Sequence, residues 1–264
     1  AAPLLVRRNA EEDYGAKPGL LAETLKSTNK RASVVGNADF SSKHHREAAL
    51  ITMDSSGLVA EGQVERELLA QDPAKPFGLK TDYEKLLAAS LKLLESSDLL
   101  IVELGDSSRV NAYADFLTEK AFAEQRRAAL LEGDAFLGRL LRARRGENDL
   151  IVVLSPNPPR SFKELPGQLT PLIAAGPGIG HGLLTSPTTR RNGLVTNTDI
   201  APTVLEQLGI PVPEDMSGRS ITARQSDSPL RFLLRSEEKI MAAATQRKPI
   251  LTVYVALVFM LLVL

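Results

Sequence analysis

The stretch Leu99-Leu100-Ile101-Val102-Glu103-Leu104 gives the clearest signal for a buried β-strand in this sequence. Before it, leucine recurs at helical spacing over Tyr83–Leu94, and a second apolar run, residues 149–154, follows a long helical segment. Uninterrupted apolar strands that alternate with helices are typical of a parallel sheet covered on both faces. The sequence therefore predicts an α/β fold with a mostly parallel sheet and covering helices.

Other segments extend this pattern in both directions. Residues 20–29 have helical spacing, residues 32–37 and 48–53 are short apolar runs that predict strands, and Asp54-Ser55-Ser56-Gly57 predicts a turn. Residues 111–145 predict long helical segments with an interruption near Gly133. Further along, the sequence predicts a strand with a sharp turn over residues 169–178, and a helix over residues 200–208, capped by Asp199 or Thr198 and ended by Gly209.

Composition limits the classes of function. The chain has 264 residues, 43% of them hydrophobic, which is enough to bury a core and excludes a disordered chain. Its 32 basic and 32 acidic residues give no net charge, so no global field attracts nucleic acid or an anionic bilayer surface. Cysteine is absent, which excludes disulfides, thiolate metal sites and a cysteine nucleophile. With only three histidines, a zinc site would depend on carboxylates.

Both ends of the chain suggest a longer parent protein. The first residues carry neither an initiator Met nor a signal-peptide pattern, so we expect the domain to be incomplete at its N-terminus. After Pro249, residues 250–264 form an uncharged apolar run, shorter than the roughly 20 residues of a membrane-spanning helix. We interpret this run as the start of a transmembrane helix; the alternative is a buried C-terminal core helix. The predicted organisation is a domain over residues 1–225, an amphipathic linker helix over residues 226–248 and the membrane segment over residues 249–264.

Three stretches carry a resemblance to a known family: residues 170–179, residues 193–210 and Met216-Ser217-Gly218-Arg219-Ser220. Together they resemble the C-terminal third of the alkaline phosphatase and sulfatase superfamily. Residues 35–39 and 49–54 are similar to parts of a bacterial membrane-bound branch of that superfamily. The resemblance implies an alkaline-phosphatase-like three-layer sandwich, here incomplete at its N-terminus and followed by a transmembrane helix.

The resemblance also implies a chemistry whose ligands are altered in this chain. Members usually hold two metal ions through Asp and His, and a Ser, Thr or modified Cys attacks a phosphate or sulfate ester. A recurrent Ser-Asp-His-Gly motif is expected directly after the strand at residues 150–154, where this sequence has Ser155-Pro156-Asn157-Pro158. An Asp-Gly-His motif is expected after Leu104, where the sequence has Gly105-Asp106-Ser107-Ser108. Two of the metal-ligand motifs that the resemblance implies are therefore altered, and neither contains a histidine.

Five residues remain as site candidates. Asp39 and Asp106 each follow a predicted buried strand and are candidate metal ligands, although Asp is equally common in turns. His181 is a candidate for the family's third histidine ligand, although it has no partner motif; the alternative is a solvated loop residue. Arg190 and Arg191 are candidate anion ligands, or a solvated pair. His44 and His45 lie in a polar, basic stretch that favours a solvated turn over a metal site.

Two functions compete. The first is a membrane-anchored, degenerate member of the superfamily without two-metal hydrolysis, acting as a binding or structural domain with no cofactor. The second is a metal-dependent hydrolase or transferase of phosphate or sulfate esters, which would need zinc, manganese or calcium and a nucleophile from an upstream segment.

The expected partners are a lipid bilayer, contacted through the C-terminal helix, and a small-molecule or lipid-linked ester, with no nucleic acid. Arg247 and Lys248 favour a cytoplasmic domain by the positive-inside rule, whereas the resemblance implies an extracytoplasmic one, which we expect.

Overall fold

The computed structural model describes residues 2–11, 15–144, 148–158 and 169–263. Arg145, Pro159 and Leu264, which belong to predicted segments, lie outside these ranges. The described chain divides into two compact units. The first comprises Ala1–Glu147 with Ala201–Gly218, and the second comprises Asn148–Ile200 with Arg219–Leu264.

The described helices and strands alternate along the chain. The α-helices are, in order, α1 (Ala2–Glu11), α2 (Leu20–Ser27), α3 (Tyr83–Leu94), α4 (Asp106–Ala112), α5 (Glu119–Ala143), α6 (Ile200–Gln207) and α7 (Pro229–Val263). The strands are β1 (Ala32–Asn37), β2 (Glu61–Gln63), β3 (Leu69–Gln71), β4 (Leu79–Thr81), β5 (Leu99–Leu104), β6 (Ile151–Leu154), β7 (Leu172–Ala175), β8 (Gly182–Thr185) and β9 (Thr222–Gln225).

A three-stranded parallel sheet lies at the centre of the first unit. Its strand order is β2-β1-β5, with Val35 paired to Val102 and Asn37 to Leu104. Every residue of β1 is buried, as expected for the middle strand of a covered sheet. The prediction of an α/β fold with a parallel sheet is confirmed for this unit.

Two apolar cores hold the first unit together. On one face of the sheet, the buried side chains of Val35, Leu68, Leu86 and Phe136 pack together with partners from α3, α5 and β5. The second core joins α2 to α6 and is formed by Leu25, Ala32, Leu205, Ile210 and Met216. Each fully buried leucine contributes on the order of 2 kcal/mol. The helix α3 matches its predicted bounds and is capped by Asp82, whose side chain accepts from the Lys85 N–H.

Two predictions in this unit are wrong. Residues 48–53 do not form a strand; Glu47–Leu50 forms a 3₁₀ turn, and Met53 makes only an isolated bridge with Val59. The helix α5 runs without a break through Gly133. The interruption lies earlier in the chain, between α4 and α5, where Ala114–Phe116 forms a 3₁₀ turn. Gly133 is buried against Leu104, so the missing side chain lets α5 approach β5.

The second unit is built from antiparallel pairs. The strand β6 pairs with β7, with Val153 opposite Ile173, and β8 pairs with β9. Our expectation that β6 extends the parallel sheet is therefore wrong for the described residues, because β7 offers an apolar partner of equal length within the same unit. The predicted sharp turn follows β7, where Gly176 and Ile179 form an isolated bridge.

The helix α7 is continuous over 35 residues and passes through Pro249. The predicted linker helix and the apolar run thus belong to a single helix. Near its start, Phe232 and Leu233 lie against Gly193 of the same unit. Within the part of the chain that the structure describes, no helix has both the length and the apolarity that crossing a membrane requires.

Candidate functional site

The carboxyl ends of β1 and β5 bring the two predicted carboxylates to one edge of the parallel sheet. Asn37 pairs with Leu104 at this edge, and Asp39 and Asp106 each lie two residues beyond the end of their strand. Ligands of open α/β sheets bind at such an edge. Both side chains are buried, so their partners decide whether they are available to a ligand.

Asp39 is held by the loop that follows it. Its carboxylate accepts hydrogen bonds from the His45 N–H at 2.7 Å and from Arg46 Nη2 at 2.9 Å, and His44 Nδ1 lies at 3.2 Å. Burial works to raise the pKa of Asp39, but the hydrogen bonds from Arg46, His45 and His44 outweigh it and hold that pKa below its usual value. The carboxylate is therefore ionised and paired with an arginine.

Asp106 is held in the same way from three directions. It accepts from the Thr81 N–H at 3.0 Å, from the Tyr83 hydroxyl at 2.8 Å and from Arg109 Nη2 at 2.8 Å. Burial, followed by the charge of Asp106, raises the pKa of Tyr83 well above its usual value, so this hydroxyl stays a hydrogen-bond donor. The partners of Asp106 thus come from β4, α3 and α4.

Arg109 lies between the two strand ends. Its side chain is 1% exposed. Besides Asp106 it donates to the backbone carbonyls of Asn37 and Asp39, both at 3.3 Å, and to Thr81 Oγ1 at 2.6 Å. A buried guanidinium needs this number of acceptors, because each N–H left without one costs desolvation energy. The cation occupies the position between Asp106 and the backbone that follows β1.

Two buried polar groups near this edge were not predicted as functional. Oε2 of Glu103 and Nε2 of His45 are buried without a hydrogen-bond partner among the described residues. Burial, with a further contribution from Glu47, raises the pKa of Glu103 to about 7. The His45 ring stacks on Phe40 with centroids 4.2 Å apart. In sequence, Glu103 was visible as the charged residue within an apolar strand.

The other predicted site residues belong to the second unit. His181 is exposed and lines an open cavity of about 590 Å³ together with Gly180, Ala223, Gln225, Ser226 and Asp227. Arg190 and Arg191 are exposed in the turn between Ser186 and Leu194. The turn uses their backbone groups: the Arg190 N–H donates to the Ser186 carbonyl, and the Arg191 carbonyl accepts from Thr185 Oγ1. These residues form no charged cluster with a histidine or carboxylate in the described part of the unit.

A buried aspartate organises the second unit. Asp199 is fully buried and accepts from Ser186 Oγ and Thr188 Oγ1, both at 2.6 Å, and from the backbone N–H groups of Thr196 and Arg219, both at 2.9 Å. Burial works to raise its pKa, but the hydrogen bonds from Ser186 and Thr188 and from the backbone lower it to about 2. A 3₁₀ turn, Asn197–Asp199, directly precedes α6, and Thr196 caps this turn in a reciprocal capping box with Asp199. Asp199 and Thr198, the predicted caps of the helix, thus lie within the turn that leads into it.

A two-metal centre does not fit the residues that follow the strands. After β6 the chain bends through Pro156 and Asn157, and Ser155 Oγ donates to the Asn157 carbonyl at 2.8 Å. Among the described residues, no three His, Asp or Glu side chains are grouped so that they could hold a metal ion. The carboxylates of Asp39 and Asp106 are each paired with an arginine.

Comparison with models of known protein families gives no match, and comparison with curated protein sequences gives none either. The fold and the site therefore define the chain as an α/β protein with a buried carboxylate–arginine network at the carboxyl edge of a parallel sheet.

Proposed function

We propose that this chain is a membrane-anchored domain that resembles the alkaline phosphatase and sulfatase superfamily, has no two-metal hydrolytic activity, and acts as a binding or structural domain. The observation that carries this proposal is the ion pair of Asp106 with Arg109, whose guanidinium is almost fully buried. A cation fixed at this position repels a second cation, and a carboxylate that already accepts from Arg109, Tyr83 and Thr81 has little capacity left for a metal.

The sequence supports the same proposal independently. Pro156 has no side-chain ligand atom, and Asn157 offers only an amide oxygen, where the resembling motif has Asp and His. A hydrolase of phosphate or sulfate esters needs both clusters together, because the metal ions stabilise the charge that develops in the transition state.

Membrane anchoring is proposed from the second half of α7. Ile250, Leu251, Tyr254, Val255 and Phe259 are large apolar or aromatic side chains that are all exposed on this helix. Exposed apolar side chains grouped on one helix favour insertion into a bilayer. We propose an extracytoplasmic domain; a topology reporter fused at Ser226 that reads cytoplasmic would contradict this.

The test of the functional proposal is metal content and activity of the same preparation. After dialysis against metal-free buffer, we expect no stoichiometric zinc, manganese or calcium by mass spectrometry, and no hydrolysis of phosphate or sulfate esters when these metals are added. About two equivalents of bound metal with ester hydrolysis would overturn the proposal in favour of a metal-dependent hydrolase.

A further inference from the structure

The first half of α7 carries a charge pattern that the proposed anchor does not use. Over residues 229–248 the sequence has five basic and two acidic residues, whereas the whole chain is neutral. Arg231, Arg235 and Lys239 are spaced four apart, so they lie along one stripe of the helix, and all three are exposed. None of them forms a salt bridge with an acidic side chain of the described residues.

Leu230 and Leu234 form a short apolar stripe beside this basic stripe, and the exposed Glu238 occupies the next position along it. Leu230 is 68% exposed and Leu234 is 53% exposed, and each directly precedes one of the two arginines. Successive residues of a helix are about 100° apart around its axis, so the basic stripe flanks the apolar stripe. This arrangement is typical of helices that lie in a membrane interface, where long basic side chains reach headgroups while leucines enter the acyl boundary.

The contact with the domain leaves these stripes free. Phe232 and Leu233 lie against Gly193, so the helix is attached to the second unit through other positions of its first turns. A helix of 35 residues is about 52 Å long. If α7 stood perpendicular to the membrane on its apolar end, Arg231 would lie farther from the surface than the Debye length of about 8 Å. The stripe therefore contributes to binding only if the helix lies along the surface.

We propose that the first half of α7 is a binding surface for anionic lipid headgroups, on which Arg231, Arg235 and Lys239 contact lipid phosphates while Leu230 and Leu234 enter the bilayer. This inference rests on the proposed membrane anchor. Its chemistry is charge complementarity: the surface potential of an anionic leaflet attracts each nearby Lys or Arg by about 1 kcal/mol.

The test uses the full chain and two kinds of vesicle, one of phosphatidylcholine alone and one containing phosphatidylglycerol. We expect the wild type to prefer the anionic vesicles, and the triple variant R231Q/R235Q/K239Q to lose on the order of a hundredfold in partitioning to them. Binding to neutral vesicles is expected to be unchanged by the substitutions. Circular dichroism checks that the variant is folded.

The matched control removes three other exposed basic side chains, in the variant K43Q/K92Q/R127Q. We expect this control to bind like the wild type. Equal losses in both triple variants, or no loss in the α7 variant, would overturn the proposal and leave the anchor intact. No binding of the wild type to either vesicle would overturn the anchor as well.

Discussion

The guanidinium of Arg109 and the carboxylate of Asp106 form a buried ion pair at 2.8 Å, one helical turn apart on α4. The pair lies where β5 ends, and Arg109 also reaches the backbone that follows β1. It therefore joins the helix that follows β5 to the backbone at the end of β1.

The change Asp106→Asn keeps the shape of the side chain and removes its charge. Because Arg109 is then buried without a counter-charge, we expect the free energy of unfolding to fall by about 3–5 kcal/mol, measured by urea titration. The double variant D106N/R109Q removes both charges, keeps a hydrogen-bonding amide at each position, and is expected to lose less than D106N alone. A D106N variant as stable as the wild type would contradict the assignment of a buried ion pair.

Glu103 makes the stability of the first unit depend on pH. Its pKa is raised from 4.5 to about 7 in the folded state, so folding favours the protonated form. The stabilisation is complete below pH 4.5 and is lost as pH rises through about 7. The shift corresponds to about 3 kcal/mol, and Glu103→Gln should remove this part of the pH dependence and be more stable than the wild type at about pH 8.

The measurement for Glu103 is the urea midpoint between about pH 4.5 and pH 8. Glu124→Gln, at an exposed position on α5, is the control and should follow the wild-type profile. Glu47→Gln removes a charge that raises the Glu103 pKa, so its profile should fall less steeply. Identical profiles for Glu103→Gln and the wild type would show that Glu103 is not the titrating group.

Asp199 should give the opposite pH dependence in the second unit. Its pKa is lowered from 3.8 to about 2, so the stabilisation of about 2 kcal/mol is present above pH 3.8 and is lost as pH falls through about 2. Asp199→Asn should lose this stabilisation at neutral pH and show a flatter acid limb in thermal melts. Asp227→Asn, at an exposed position in the same unit, is the matched control; a loss of equal size there would contradict the role of Asp199.

The parts of the fold that the sequence predicted are those with a local signal. The periodicity of Tyr83–Leu94 and the apolar run Leu99–Leu104 both depend on neighbouring residues, and both elements have their predicted bounds. The antiparallel pairing of β6 with β7 was not predictable in this way, because an apolar run does not indicate which strand it pairs with. The 3₁₀ turn at Glu47–Leu50 was missed because a short apolar run does not distinguish a strand from a helical turn.

The candidate site also combines features with a local sequence signal and features that depend on tertiary contacts. The carboxylates Asp39 and Asp106 were predicted from their positions after strands, and the structure brings both to one edge of the sheet. Their arginine partners were not predicted. Arg46 lies seven residues from Asp39, and Arg109 reaches Asp39 only through a backbone carbonyl that is distant in sequence. The three-residue spacing of Asp106 and Arg109 on a helix is a local signal for an ion pair. The contacts of Arg109 with the carbonyls of Asn37 and Asp39 have no such signal, because they join residues about 70 positions apart.

Gly36 and Gly78 both have positive φ, but only at Gly36 would an added side chain collide with a neighbouring strand. Substituting each by alanine therefore distinguishes the cost of a steric clash from the cost of the backbone conformation. Gly36 has φ +98° and a side chain there would collide with the Glu103 carbonyl of β5, whereas Gly78 has φ +67° and no neighbouring atom within 4 Å of the point that a Cβ would occupy. We expect Gly78→Ala to cost about 1–2 kcal/mol, the penalty of the left-handed conformation alone. Gly36→Ala should cost clearly more, because the paired strands must also move apart. Equal urea midpoints for the two variants would contradict the close approach of β1 to β5.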